Sequence, residues 1–134
     1  MFLNRLDLRE KQTFISLAFN GANINGIVAE EELQMIEEYC KEMDIVLFDS
    51  ANIKSIDEVI AIFSISDDEI KKIVLLELLG LMYADGDFDD VEKEFVIKVA
   101  NGIGVSDEKV SAIQELMVKY IDVTRELLGC IENS

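Results

Sequence analysis

The chain has 134 residues and a mass of 15.1 kDa, so we expect one domain that spans residues 1–134. Half of the residues are apolar and the mean hydropathy is +0.21, which excludes wholesale disorder. Twelve lysines and arginines against 28 aspartates and glutamates give a formal net charge of −16, which argues against nucleic-acid partners and anionic membrane surfaces.

Helical periodicity and the absence of proline predict an all-α domain. Ser55 and Ser66 each precede a glutamate by three residues, the spacing of a capping box, and Ser106 precedes two acids. These signals place helices near residues 5–22, 29–43, 55–63, 67–84, 89–101 and 106–131. Residues 44–54 lack a helical period and are interpreted as a connection.

Two of these segments carry the clearest packing signals. Residues 67–84 are apolar nearly all round, which predicts a central, buried helix. Residues 106–131 have one apolar face that we expect to lie on the core: Val110, Ile113, Met117, Tyr120, Ile121, Leu127 and Leu128. The two cysteines, Cys40 and Cys130, fall on apolar stripes and are expected to be small core residues.

An internal repeat organises the chain. Shifting the sequence by about 60 residues aligns Asn25-Gly26 with Asp85-Gly86 and keeps the apolar positions on both sides in register. Each half, about 10–50 and 70–110, reads as a helical hairpin with a glycine-containing turn. The sequence therefore predicts a compact bundle of about six to seven helices built from two pseudo-symmetric helical-hairpin repeats.

The turn of the second half concentrates carboxylates. Asp85, Asp87 and Asp89 stand at alternate positions, and Glu92 can reach back from the first turn of the next helix. Hard cations such as calcium or magnesium prefer oxygen ligands of this kind. The spacing is not that of an EF-hand, because glycine is missing from the sixth position and glutamate from the twelfth.

A second interpretation of the same residues needs no metal. Asp89 and Glu92 have capping-box spacing, and Asp85-Gly86 is a common turn dipeptide. Capping and solvation could therefore explain every acid in the turn, and the two interpretations stay open.

The Asp85-Gly86 turn with Glu92 seven residues after the aspartate, on a duplicated helical hairpin, resembles the TerB-like domain of tellurite-resistance and related bacterial stress proteins. The resemblance covers roughly residues 10 to 131. It implies an all-α fold of about seven helices, an acidic surface, divalent-cation binding by the acids of the motif, partner proteins at the membrane, and no established enzymatic activity.

The resemblance also implies which residues would hold the cation. The matched positions are Asp85 and Glu92 in the second half and Asn25 and Glu32 in the first. Asn25 offers a carbonyl oxygen without the negative charge that drives cation binding, so the second turn ranks above the first.

Missing residue types restrict the chemistry further. Without histidine the chain builds no Ser-His-Asp triad and no histidine zinc site, and two cysteines are too few for a structural zinc. We therefore expect no enzyme, but an acidic domain that binds a divalent cation or a partner protein in a bacterial stress response. No signal peptide or membrane span is recognised, so a cytoplasmic location without membrane insertion is expected.

The alternative is a helical adaptor or dimerisation module whose acids are caps and solvated side chains. The acidic run of residues 30–42 is consistent with either a solvated face or a surface that docks a basic partner. A homodimer is expected if the apolar residues at the N-terminus are exposed.

Glu77 is the acid that least fits its surroundings, because its helical neighbours are apolar. Two readings are open. If Glu77 is buried, its carboxylate needs a counter-charge, for which Arg5, Arg9 or Arg125 could serve, or hydrogen-bond donors, or it stays protonated. Otherwise it lies at an edge where its carboxylate reaches water.

Overall fold

The fold was analysed on a computed structural model that describes residues 1–24, 26, 28–45, 52–84 and 88–132. These residues form six α-helices, one short 3₁₀ turn at Leu3–Arg5 and no strand. The helices are α1 (Leu8–Ala22), α2 (Glu30–Met43), α3 (Ile56–Phe63), α4 (Asp68–Met82), α5 (Asp90–Ile103) and α6 (Asp107–Glu132). The predicted all-α bundle is confirmed.

The repeat is visible in the helix boundaries themselves. Adding 60 to the bounds of α1 and α2 gives the bounds of α4 and α5. Both hairpins also end in the same way, since the Ile45 N–H donates to the Cys40 carbonyl and the Val105 N–H to the Ala100 carbonyl, at 3.0 and 2.9 Å. Such six-to-one bonds close a helix through a left-handed residue. After this point the halves differ, because α3 has 8 residues and α6 has 26.

The core is centred on α4, as predicted. Eight of its apolar side chains are buried: Ile70, Ile73, Val74, Leu75, Leu78, Leu79, Leu81 and Met82. Helices α1, α2, α5 and α6 all pack on α4, and α3 packs on α1 and α5. Burial of this apolar surface is the main source of the folding free energy.

The first helix begins three residues later than predicted. α1 starts at Leu8 because Asp7 is its N-cap: the Asp7 carboxylate accepts from the Glu10 N–H at 2.8 Å, and the Asp7 N–H donates to the Glu10 carboxylate at 3.0 Å. This reciprocal capping box fixes Asp7 in an extended conformation and separates α1 from the preceding turn.

The start of α4 also differs from prediction. Its N-cap is Asp67 rather than Ser66, and the Ser66 hydroxyl donates instead to the Glu10 carboxylate at 2.7 Å. Ser55 does cap α3 as predicted, accepting from the Glu58 N–H at 3.2 Å. A tertiary contact therefore replaced the local one at Ser66.

The prediction for α6 is wrong over its C-terminal half. Val110, Ile113 and Met117 are buried as expected, and Ile121 packs partly against the core. Tyr120, Leu127 and Leu128 lie on the same stripe but are exposed by 51, 59 and 49%. Cys40 is buried, whereas Cys130 is exposed and is not the core residue that its stripe predicted. Only the first three turns of α6 pack on the core, and the rest of the helix extends beyond it.

Candidate functional site

Three of the six predicted cation ligands lie among the described residues. Asp89 is the N-cap of α5, and Glu92 and Glu32 occupy the third helical positions of α5 and α2. The other three, Asn25, Asp85 and Asp87, lie outside the described residues, so the structure does not place their oxygens.

Asp89 and Glu92 form a complete capping box. The Asp89 carboxylate accepts from the Glu92 N–H at 2.8 Å, and the Glu92 Oε1 accepts from the Asp89 N–H at 3.2 Å. Glu92 is only 5% exposed, so the fold removes this carboxylate from water. The capping interpretation of these two residues is confirmed, and it engages one oxygen of each carboxylate.

Glu32 repeats half of this arrangement in the first hairpin. Its Oε1 accepts from the Ala29 N–H at 3.2 Å, and the side chain is 6% exposed. Ala29 stands where Asp89 stands in the second hairpin and has no side-chain acceptor to return the bond. Both hairpins therefore bury a glutamate at the start of the second helix, but the second brings an additional aspartate.

The second turn is anchored on both sides. The rings of Tyr83 and Phe88 lie 4.6 Å apart between centroids, and the Lys93 ammonium lies 5.9 Å from the centre of the Phe88 ring. Gln114 of α6 donates to the Tyr83 hydroxyl at 3.1 Å. These contacts hold the ends of the turn against α4, α5 and α6, so Asp89 and Glu92 sit on a rigid frame.

Within the described part of the chain, no three His, Cys, Asp or Glu side chains come together in a way that could hold a metal ion. Asp89 and Glu92 alone give a cation two residues, whereas calcium takes six to eight oxygens. A cation site at this turn would need Asp85 and Asp87, and it stays a prediction.

Glu77 is buried, with 3% of its surface exposed, so the edge interpretation is wrong. Its Oε1 accepts from the N-terminal ammonium of Met1 at 2.9 Å and from the Phe2 N–H at 3.1 Å. None of the three predicted arginines is its counter-charge, and Arg5 pairs with Glu69 at 2.8 Å instead. Sequence neighbours could not reveal this partner, which lies 76 residues away.

Glu42 completes the attachment of the N-terminal segment. Its two carboxylate oxygens accept from the Met1 ammonium at 3.0 Å and from the Leu3 N–H at 2.9 Å. Burial acts to lower the pKa of the Met1 ammonium, but its hydrogen bonds to Glu77 and Glu42 and their negative charges outweigh this and raise the pKa. Burial, together with the charge of Glu77, also raises the pKa of the Tyr39 phenol.

A groove of about 440 Å³ opens beside this charged cluster, between α2, α4 and α6. We call it the α2–α6 groove. Its apolar lining includes Met35, Met117 and Ile121, and Glu38 and Glu42 lie on its α2 side. The sequence analysis did not identify it, although methionines at the margin of an apolar face are a usable signal.

The structure is that of an all-α protein with two helical hairpins around one core. Each hairpin buries a glutamate, Glu32 or Glu92, at the start of its second helix. A family model described as "Tellurite resistance protein TerB" matches residues 4–115. The chain therefore belongs to the TerB family, as the resemblance of the turn motif predicted.

No curated protein and no solved structure matched the chain. The family match ends at residue 115 and leaves out the second half of α6. No helix in the described ranges combines the length and apolar character that a membrane crossing requires.

Proposed function

We propose that this TerB-family domain is not an enzyme and binds a divalent cation, calcium or magnesium, at the turn of residues 85–92. The observation that carries the proposal is the burial of the Glu92 carboxylate at the end of the segment 85–92, which contains four more acids. Three of these, Asp85, Asp87 and Asp89, are the predicted ligands beside Glu92. The Glu92 Oε1 accepts from the Asp89 N–H, which holds this carboxylate at the start of α5 together with that of Asp89.

Oxygen chemistry and charge both favour this choice. Five acids within eight residues, at −16 overall charge, attract hard cations more than any soft metal, which would need thiolate or imidazole ligands. We further propose that cation binding regulates association with a protein partner in a bacterial stress response, and that the domain acts in the cytoplasm. The match to a family described as a tellurite resistance protein supports the proposed role in a stress response.

Calorimetric titration with Ca²⁺ and Mg²⁺ at matched ionic strength tests the cation site. We expect saturable binding by the wild-type chain and at least about tenfold weaker binding by Asp85→Asn, because a coordinating charge is lost. Asp57→Asn is the matched control, since it removes one exposed charge from the first turn of α3 and leaves the turn intact.

Asp89→Asn separates coordination from capping, because asparagine caps a helix as well as aspartate but carries no charge. If wild type, Asp85→Asn and Asp57→Asn give the same weak heat, the acids are caps. The helical adaptor without a specific metal site then becomes the better description.

A further inference from the structure

The second half of α6 presents an apolar stripe that the rest of the described chain does not cover. Tyr120, Leu127 and Leu128 continue the stripe that begins with the buried Ile113 and Met117. The spacing of three and four residues is the one by which amphipathic helices pack. Where α6 leaves the body, the stripe changes from buried to about half exposed.

The α2–α6 groove lies at this transition. Met117, Tyr120 and Ile121 of α6 form one wall, and Met35 of α2 lies on the other. Methionine side chains are flexible and polarizable, so they adapt to an incoming apolar side chain. The exposed stripe and the groove are therefore one continuous apolar surface.

Negative charge borders this surface on the α2 side. Glu38 and Glu42 are one helical turn apart and both line the groove. Glu30, Glu31 and Glu37 are also exposed on α2, where Lys41 is the single basic residue. Arg125 lies at the α6 side of the groove, and Glu77 of α4 is buried and paired with the Met1 ammonium, so the exposed acids that line the groove are those of α2.

We propose that the stripe of Tyr120, Leu127 and Leu128 and the α2–α6 groove bind an amphipathic helix with a basic polar face, supplied by another protein. The apolar face of that helix would cover the stripe, and its lysines or arginines would meet Glu38, because Glu42 is already paired with the Met1 ammonium. The family match ends at residue 115, so the stripe lies beyond the matched range, whereas the α2 and α4 sides of the groove lie within it.

Charge is the reason to prefer a basic partner over a second copy. A second copy would bring its own net charge of −16 against the same surface, and like charges repel. The exposed stripe from Tyr120 to Leu128 spans about two and a half helical turns, which is also short for the apolar surface that a stable homodimer buries.

The test uses a fluorescent leucine–lysine peptide of about 18 residues, an amphipathic helix long enough to cover the stripe and reach the groove. Binding to the whole chain is measured by anisotropy at physiological ionic strength with a chelator present, so that the result is independent of the proposed cation site. The comparators are a scrambled peptide of the same composition and a leucine–glutamate peptide with the same pattern. We expect at least about tenfold tighter binding of the amphipathic basic peptide than of either comparator.

Two sets of variants locate the site. The pair Leu127→Gln with Leu128→Gln should weaken peptide binding at least about tenfold, since two apolar anchors are removed while helix propensity is kept. The matched control is Val91→Gln with Ile97→Gln, which changes two half-exposed apolar residues of α5.

Glu38→Gln tests the same groove from α2 and does not depend on α6. It should weaken the basic peptide severalfold, whereas Glu31→Gln should change binding less because Glu31 does not line the groove. Equal binding of the scrambled peptide, or no effect of the leucine pair, would overturn the proposal. So would sedimentation of the wild type as a dimer that the leucine pair converts to monomer, because a second copy would then be the occupant.

Discussion

The helices of the two hairpins have the same bounds after a shift of 60 residues. Equivalent positions in them nevertheless contact different segments of the chain. Position 42 of α2 is a glutamate that accepts hydrogen bonds from the N-terminal segment. Its counterpart on α5, Gly102, lies against Ile60 of α3 and leaves no room for a side chain. The two hairpins share the same helix arrangement. The residue at each matched position determines which neighbouring segment packs there, the N-terminal segment at Glu42 and α3 at Gly102.

A similar divergence separates α1 from α4. Ser16 and Asn20 of α1 hydrogen-bond the backbone of Lys54, both at 3.0 Å, and so hold the connection that precedes α3. The equivalent residues of α4 are Leu76 and Gly80, which line the α2–α6 groove. The first hairpin uses this face to fix a loop, whereas the second leaves it beside an open groove.

The largest effect on stability is expected at Glu77, a buried acid of the second hairpin whose counterpart in the first hairpin is Leu17. Glu77→Gln should lower the free energy of unfolding by about 2 kcal/mol, because it removes the buried charge that pairs with the partly exposed Met1 ammonium. Urea denaturation of both chains measures the difference. Glu69→Gln, which breaks the exposed pair with Arg5, should change stability by less than about 0.5 kcal/mol.

A pH profile shows whether the Glu77 effect is electrostatic. The pKa of the Met1 ammonium is raised in the folded state, so its contribution to stability is full below the unfolded pKa and is lost as pH rises through the folded pKa. Wild-type stability should therefore fall on the alkaline side of the ordinary amino-group pKa, and less steeply in Glu77→Gln. Equal slopes would mean that Glu77 acts through packing alone.

The next effect concerns Gly102, the counterpart of Glu42 in the second hairpin. A Cβ on Gly102 would lie 2.6 Å from Ile60 Cγ2, so Gly102→Ala should destabilise the protein by about 1 to 2 kcal/mol. Gly80→Ala is the matched control, since the nearest atom to its Cβ would be Met117 Cε at 3.5 Å. There the better helix propensity of alanine should leave stability unchanged or slightly raised in thermal denaturation.

The smallest effect comes from exchanging the caps of the two turns. Asp89→Ala should cost about 1 kcal/mol by removing the acceptor for the Glu92 N–H, and Ala29→Asp should stabilise α2 by a similar or smaller amount. Denaturant midpoints of the two single variants and the double variant test this. If Ala29→Asp gives no gain, capping does not explain the difference between the turns.

Much of the fold was predictable because its signals are local. The 60-residue register, the all-round apolar character of α4 and the glycine-containing turns all lie within short windows of sequence, and the helix bounds of both hairpins follow from them. The start of α1 was missed although Asp7 and Glu10 have capping-box spacing, which was the available signal.

The predictions were wrong where contacts between residues distant in sequence determine burial or pairing. Amphipathic periodicity predicts which face of α6 is apolar, but it does not tell how far the body beneath that face extends, so Leu127 and Leu128 were expected in the core. The charge mismatch at Glu77 was visible in the sequence, whereas its partner was not. At the candidate turn, the capping role of Asp89 and Glu92 followed from spacing, and the cation prediction at Asp85, Asp87 and Asn25 still awaits measurement.

The exposed thiol of Cys130 has a practical consequence. It lies two residues beyond Leu128 on α6, while the other thiol, Cys40, is buried. Air oxidation would join two chains by a disulfide between their Cys130 residues and give a covalent dimer unrelated to any specific association, so mass measurements need a reductant. Under reducing conditions, maleimide dyes should react at Cys130 far faster than at Cys40, which places a single reporter beside the stripe without any substitution.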